Sequence, residues 1–396
     1  MIFSDSVHGN IEIPDKYRTL LSTAPLTRLR NVRQLGFTPA VYTGAVHTRF
    51  EHTIGKTYVL MGLLDQFRVS PPATRERYIV AALLSEIGSY PLSHSSSWLF
   101  EERLQMSKDV YARLLSDHIR PLSASEKDFI WDRSHPDHEW FRNLPAFAEF
   151  PDVDILQLAG DIDYALRDAH YSGRYTNSFD YRYFRTLVDT ESERCQQELN
   201  ESVKELYRSI YALNSVYGDP VRRFITLIFI RLLDFLVDKG YLDVERYRKP
   251  AEYLLLDDDR FIAHVGKAAI KAAGDGVPWT VEMFEYVKQL KPVEIHQLEL
   301  SPELRAMSVP ELERAIADKQ GLADPVRVVA MNDTMPNAPK YVLFGQTFDC
   351  YSNAIGSDYF CTMTGLKRGT NRTGLWDNRY LFYTIIEPIS GVVLTN

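Results

Sequence analysis

Cysteine is scarce in this sequence: three in 396 residues, at positions 195, 350 and 361. An odd number at wide spacing excludes a disulfide framework and a CxxC zinc pattern, and a reducing, cytoplasmic setting is expected. Long apolar runs are missing too. The most apolar stretch, Phe224 to Val237, is short for a membrane span and carries Arg231 and Asp234, so a buried helix is expected and no membrane association. The opening MIFSDSVHGN has no basic segment leading into an apolar one, so no secretory leader is expected. Repeats and low-complexity tracts are absent. So is an excess of basic residues: 45 Lys and Arg against 53 Asp and Glu leave a net charge of −8. That balance argues against a globally basic nucleic-acid binder, and nucleic acid is not indicated as a partner.

What is present fits a soluble globular chain, with 45% hydrophobic and 25% charged residues. A chain of this length buries a sizeable core without disulfides or structural metals. Residues 50–67, 76–87, 153–170, 192–213 and 220–239 place apolar side chains at helical spacing. The first two stop before Pro71-Pro72 and at Gly88 and Pro91. Near residue 292 the composition changes. Segments such as VEIHQLEL, VRVVAM, YVLFGQTF and YLFYTIIEPISGVVL are rich in β-branched and aromatic residues. Turn signals (MNDTMPNAPK, KRGTNRTG, WDNR) separate them. The fold is therefore expected to be mainly α over residues 1–290, with a smaller α+β module over 291–396.

The N-terminal part carries, in order, DSVHGNIEIP, TRLRNVRQLG, GAVHTRFEHTIG, AALLSEIGSYPLSH and DIDYALRDAHYSG, then NSFDYRYF. In this order and spacing they resemble the HD-domain dGTP and dNTP triphosphohydrolases, over about residues 3–185 and weakly to about 240. The resemblance implies an all-helical HD domain, a nucleotide or nucleoside ligand and homo-oligomerisation. It also implies a divalent metal held by a His from the RFEH helix, a His-Asp pair and a later Asp, which activates a water and polarises a phosphoryl oxygen. Imidazole and carboxylate donors suit Mn, Fe, Zn or Mg-type ions.

Carried over position by position, the first metal ligand is His52. The His-Asp pair falls on Ser85 and Glu86, and the later aspartate falls on Gly160. The histidines of the following segment fall on Ser89 and His94, and a further aspartate falls on Ser97. A hydroxyl is a poor ligand beside imidazole, and Glu86 extends its carboxylate by one methylene. Asp161 could replace Gly160 only if its side chain turned by about 100° on the helix. His52, Glu86 and Asp161 are thus weak metal candidates, and no cofactor is expected. Gln34 and Leu35 fall on sugar- and base-contacting positions, Arg49 on a triphosphate contact, and Tyr164 and Asp168 on sugar contacts. Asp161 falls on a phosphate-touching lysine, a change of sign that would repel a triphosphate.

Plainer readings stand beside these. His52 and Tyr164 would serve as core side chains, and His94 as a hydrogen-bonded turn residue. Arg49 could pair with Asp163 or Asp168. Arg28, Arg30 and Arg33 suit a solvated face with ion pairs, while the resemblance offers a regulatory nucleotide site or an oligomer interface. His135 and His138 have HxxH spacing in a proline-containing loop. Three functional readings follow. The first is a nucleotide- or nucleoside-binding protein whose metal-dependent triphosphohydrolase activity is lost or altered. The second is a metal-independent hydrolase using Glu86, His52 and His94 as catalytic groups. The third is a phosphohydrolase with a rearranged metal site.

Overall fold

A computed structural model of the chain describes residues 1–69, 72–119, 122–132, 135–138, 154–174, 216–291, 293–323, 327–332, 341–343, 346–348 and 380–387, with isolated helical positions at 206, 209, 210 and 213. The three cysteines, the NSFDYRYF segment, most of the helix expected over 192–213 and the KRGTNRTG and WDNR turns lie outside the described residues. Packing divides the chain into two units, one of residues 1–217 and 244–261, the other of 218–243 and 262–396.

The first unit opens with a hairpin, β1 (Ile2–Asp5) and β2 (Gly9–Glu12), paired antiparallel. Its turn is built by the Asp5 side chain, whose Oδ1 accepts the N–H groups of Val7 and His8, and by Gly9 at φ +75°. Two short helices follow, α1 (Arg18–Leu21) and α2 (Ala24–Arg28). Then comes the long helix α3 (Arg49–Gln66), started by a capping box in which Thr48 and Glu51 satisfy each other's backbone N–H groups.

Helix α4 (Pro72–Leu84) begins on proline, which needs no N–H partner there. It is followed by α5 (Lys108–Ser116), α6 (Ala124–Trp131) and α7 (Ile155–Ser172). Helix α7 is capped by Asp154 at its start and by left-handed Gly173 at its end. The first unit also holds the short helix α9 (Pro250–Leu254). Helix α3 packs on both α4 and α7, and nearly its whole circumference is buried. That makes it the central rod of the unit.

In the second unit α8 (Pro220–Asp238) is the apolar run of the sequence, and it buries Phe224, Ile228, Phe229, Leu232 and Leu236. Among the described residues no helix is long and apolar enough to cross a membrane. Helix α10 (Asp258–Gly274) starts at the end of the first unit, and α11 (Trp279–Lys288) packs on α8. Strand β3 (His296–Glu299), α12 (Pro302–Arg305), α13 (Val309–Lys319) and β4 (Val328–Asn332) follow. Next are β5 (Tyr341–Leu343), β6 (Gln346–Phe348) and β7 (Tyr380–Ile385).

β7 lies between β3 and β4, antiparallel to both, and β5 pairs with β6. Helix α13 covers the three-stranded sheet through Leu312, Ile316 and Ala317 against Val328, Ala330 and Leu381. The fold is therefore mainly α with a small antiparallel sheet module, as expected. One expectation changes: the helix expected over 76–87 ends at Leu84, so Ser85 and Glu86 sit in the turns that follow it.

Candidate functional site

Arg49, His52 and Lys56 stand at positions i, i+3 and i+7 of α3, so they share one face. All three are buried. Opposite them runs the chain after α4, from Ser85 to the turn at Leu92-Ser93. Leu92 and Ser93 both adopt left-handed backbone, at φ 58° and 50°, a strained conformation for side chains other than glycine. The turn is held by Asp258, which accepts the Leu92 N–H at 2.6 Å, and by Ser93 Oγ, which donates to the Arg33 carbonyl. A Cβ on Gly88 would lie 2.0 Å from the Lys108 carbonyl oxygen. Only glycine lets the start of α5 come this close, and the approach brings the Lys108 ammonium to Glu86.

Glu86 is 5% exposed. Its Oε2 accepts from Lys108 Nζ at 2.8 Å, Arg49 Nη1 at 3.1 Å and Ser89 Oγ at 3.1 Å. Burial alone would raise this carboxyl. Lys108 and Arg49, with smaller contributions from His52 and Lys56, outweigh it and hold the group well below the usual carboxylate range. Arg49 also donates from Nε to Ser93 Oγ at 2.9 Å. Its partner is therefore Glu86, in place of the Asp163 or Asp168 weighed from sequence.

Asp163, on α7, is the hub of a second cluster. It meets His52 Nδ1 and His8 Nε2 at 2.7 Å each, and Arg167 grips it through Nε at 3.0 Å and Nη2 at 2.9 Å. Burial opposes ionisation of Asp163, but Arg167 and the two imidazoles hold the carboxyl well below its ordinary value. An ionised carboxylate only accepts, so His52 donates from Nδ1 and its ring orientation is fixed. Arg167 extends the network to Asp5 at 2.9 Å, tying in the turn that carries His8. Gly55 makes room for this cluster, since a Cβ there would lie 1.9 Å from Asp163 Oδ1.

The positions that the resemblance assigns to a metal do not fit one. His52 donates from Nδ1 to Asp163, an arrangement that orients its other ring nitrogen and suits a ligand, but Glu86 is engaged by Lys108 and Arg49. Ser85 Oγ accepts from Lys56 Nζ at 3.0 Å and donates to the Ala82 carbonyl. Gly160 offers no donor, and the atoms facing its missing Cβ are Lys56 Cε, Cδ and Nζ at 3.5–3.6 Å. Asp161 is half-buried. Among the described residues no three His, Cys, Asp or Glu side chains converge to hold an ion.

The expected ligand-binding positions are placed as follows. Gln34 and Leu35 are buried, and the Gln34 N–H bonds the His47 carbonyl at 2.9 Å. The chain stays paired onward to the start of α3, where the Arg49 N–H bonds the Val32 carbonyl. The Gln34 carboxamide oxygen is buried with no partner among the described residues, as are His47 Nδ1 and Ser95 Oγ. Asp168 accepts from His47 Nε2 at 2.8 Å and from the Tyr217 hydroxyl. Tyr164 is half-buried on α7, and His94 is exposed in the turn at 93–95.

Arg28 departs from the solvated-face reading. It is buried and donates to the carbonyls of Leu256, Ile87 and Ser89, because a loop with unsatisfied carbonyls packs over it. Arg30 stacks on the Phe50 ring and Arg33 pairs with Asp258 at 3.4 Å. His138 is a core residue stacked on Phe129. Sequence reasoning missed Lys56 and Lys108. A signal for Lys56 existed: a lysine seven residues after Arg49 and four after His52, inside an otherwise apolar helix.

No protein-family model matches the chain. It is similar to the deoxynucleoside triphosphate triphosphohydrolase SAMHD1 homolog of Dictyostelium discoideum, 26% identical over 288 residues, covering 65% of this chain and 53% of that protein. It is also similar to the deoxynucleoside triphosphate triphosphohydrolase SAMHD1 of Danio rerio, 33% identical over 312 residues, covering 64% and 50%. The match spans 38% to 58% of the length of the first three curated relatives. In fold it is similar to a crystallised phosphohydrolase of Bacteroides thetaiotaomicron, with a TM-score of 0.62 at 16% identity over 98% of this chain and 100% of that one.

Proposed function

We propose that the chain, similar over part of its length to dNTP triphosphohydrolases, binds a nucleotide or nucleoside and that the metal-dependent cleavage those relatives are named for is lost. The observation that carries the binding half is the Gln34 carboxamide oxygen, buried without a donor at a position the resemblance gives to the sugar and base. An orphaned buried acceptor costs about 1–3 kcal/mol, and a ligand hydroxyl or base N–H would recover that. The charge around the site favours a ligand with few phosphates. Arg49 is already engaged by Glu86 and Ser93, and Asp161 stands where a phosphate-touching cation is expected.

The metal half rests on the donor set: a hydroxyl held by Lys56, a glycine, and a carboxylate enclosed by cations. A rearranged site from His52, Glu86 and Asp161 has no support in that geometry. Nor does a metal-independent hydrolysis led by Glu86, because cations that hold the carboxyl ionised leave it no proton to donate at neutral pH and make it a weak base. Self-association and a cytoplasmic location belong to the same proposal; the first rests on the resemblance and the second on the cysteine pattern.

The test is a panel of deoxynucleosides, monophosphates and triphosphates. Binding is read by calorimetry and thermal shift, and turnover is read as triphosphate release with Mn, Mg, Fe and Co. Binding that disappears in Gln34→Leu, with no triphosphate released, is expected. Turnover at ordinary enzymatic rates with any of the ions, or no binding by any member of the panel, refutes the proposal.

A further inference from the structure

We infer that Lys56 is a resident cation: its ammonium stands in the space where relatives would hold a metal, and it excludes a divalent ion from that space even if the ligands were restored. This builds on the proposed loss of metal chemistry but goes further, from ligands that are missing to a group that has taken their place.

Lys56 follows His52 by one turn of α3, on the same face. It is 3% exposed. Its Nζ donates to Ser85 Oγ at 3.0 Å. Its last two methylenes and its ammonium are the nearest atoms to the missing side chain of Gly160, at 3.5, 3.6 and 3.6 Å from an ideal Cβ. It also acts on Glu86 through its charge. Two of the four positions assigned to the metal by resemblance, Ser85 and Gly160, therefore face the end of Lys56; a third, Glu86, feels its charge, and the fourth, His52, lies four residues before it on the same helix.

Two of the substitutions make sense on this geometry. A hydroxyl at 85 accepts from an ammonium, where a protonated imidazole would repel it. Glycine at 160 leaves the space in which the lysine stem lies. An ammonium of +1 in a buried site opposes entry of an ion of +2, and burial weakens the screening that would soften that repulsion. A lysine needs no open coordination sphere and no supply of ion, because it is part of the chain itself.

The test restores the ligands with and without the lysine. Ser85→His, Glu86→Asp and Gly160→Asp are combined in one chain, and Lys56→Met is added in a second. Both are equilibrated with Mn(II) alone and desalted, and their metal content is measured. The chain that keeps Lys56 is expected to stay empty, and the chain with Lys56→Met to hold one equivalent. Equal metal content in the two, whether both empty or both loaded, overturns the inference.

Should Ser85→His prevent folding, the single change Gly160→Asp is compared in the Lys56 and Lys56→Met backgrounds by thermal melting. With the lysine present the new carboxylate meets its ammonium, and the midpoint holds or rises. Without it the carboxylate is buried unpaired, and the midpoint falls. Additive shifts in that cycle also overturn the inference. Metal content is read without any nucleotide, so failure of ligand binding and failure of this inference are separate results.

Discussion

Asp163→Asn should be among the most damaging single substitutions in the first unit, although it changes no volume. The wild-type carboxylate receives His8, His52 and two guanidinium N–H groups, all at 2.7–3.0 Å. The side chains of Asp163 and Arg167 are both 0% exposed. Asparagine keeps one acceptor oxygen, removes the charge and presents an NH₂ group that Arg167 cannot accept and that a histidine accepts only by switching tautomer. Arg167 keeps Asp5 at 2.9 Å but loses the carboxylate it grips through two nitrogens. Breaking a buried pair from one side costs about 3–5 kcal/mol, a large fraction of the roughly 5–15 kcal/mol that holds a domain folded. For a unit of this size that corresponds to a fall in Tm of roughly 6–20 °C. The assay is urea unfolding at neutral pH with calorimetric melting alongside. Asp15→Asn is the control, because that carboxylate pairs at the surface with Arg18 and the N-terminus and should leave the midpoint unchanged. A loss below about 1 kcal/mol for Asp163→Asn would refute the argument that the network is a buried, charge-dependent unit.

Two further predictions concern pH and packing. Burial pushes the Asp258 carboxyl up to about 6, against two backbone N–H donors and Arg33, which pull it down. The folded protein thus binds this proton more tightly than the unfolded chain does. The stabilisation is full below about pH 4 and is lost as pH rises through 6, about 3 kcal/mol in all. Glu86 and Asp163, held low in the folded state, act in the opposite sense: their contributions are present above about pH 4.5 and vanish as pH falls below it. Unfolding midpoints of wild type and Asp258→Asn from pH 4 to 8 should diverge between 4 and 6, and parallel curves would count against the raised value. Gly55→Ala improves helix propensity by about 1 kcal/mol but sets a methyl 1.9 Å from Asp163 Oδ1. Overpacking of about 1–3 kcal/mol or more wins, so a lower Tm is expected and a higher one would show that the network yields easily.

Much of the fold could be read from local pattern because its causes are local. Thr48 and Glu51 mark the start of α3, Pro72 the start of α4, and Gly173 the end of α7. β-branched runs past residue 292 mark the strands of the small sheet. The site was legible only as a set of positions, and its wiring was not. Arg49 finds Glu86 across 37 residues, Lys56 finds Ser85 across 29, and His8 finds Asp163 across 155. Such pairings depend on how helices cross, and no periodicity encodes that. Arg28 was misjudged for the same reason, since the carbonyls it serves belong to loops 59 to 228 residues away.

The electrostatics of the site give a reason why the fold can stand without the ion that the resemblance implies. A divalent cation at the centre of such a helical core does structural work as well as chemistry, because it balances the carboxylates that burial would otherwise expel. Removing it while keeping Glu86 would leave a charge that is 5% exposed with nothing to offset it. Among the described residues that charge is met by Arg49, Lys108 and, at longer range, Lys56 and His52. Asp163 is met by Arg167 and two histidines. Replacing an ion by side chains also changes when the charge is available. A bound metal comes and goes with its concentration and with the protonation of its ligands, whereas a lysine or arginine is covalently part of the chain and present in every copy. The core should therefore melt at the same temperature with and without a chelator. A chelator-dependent shift of several degrees would mean that an ion, and not Lys56, still balances Glu86.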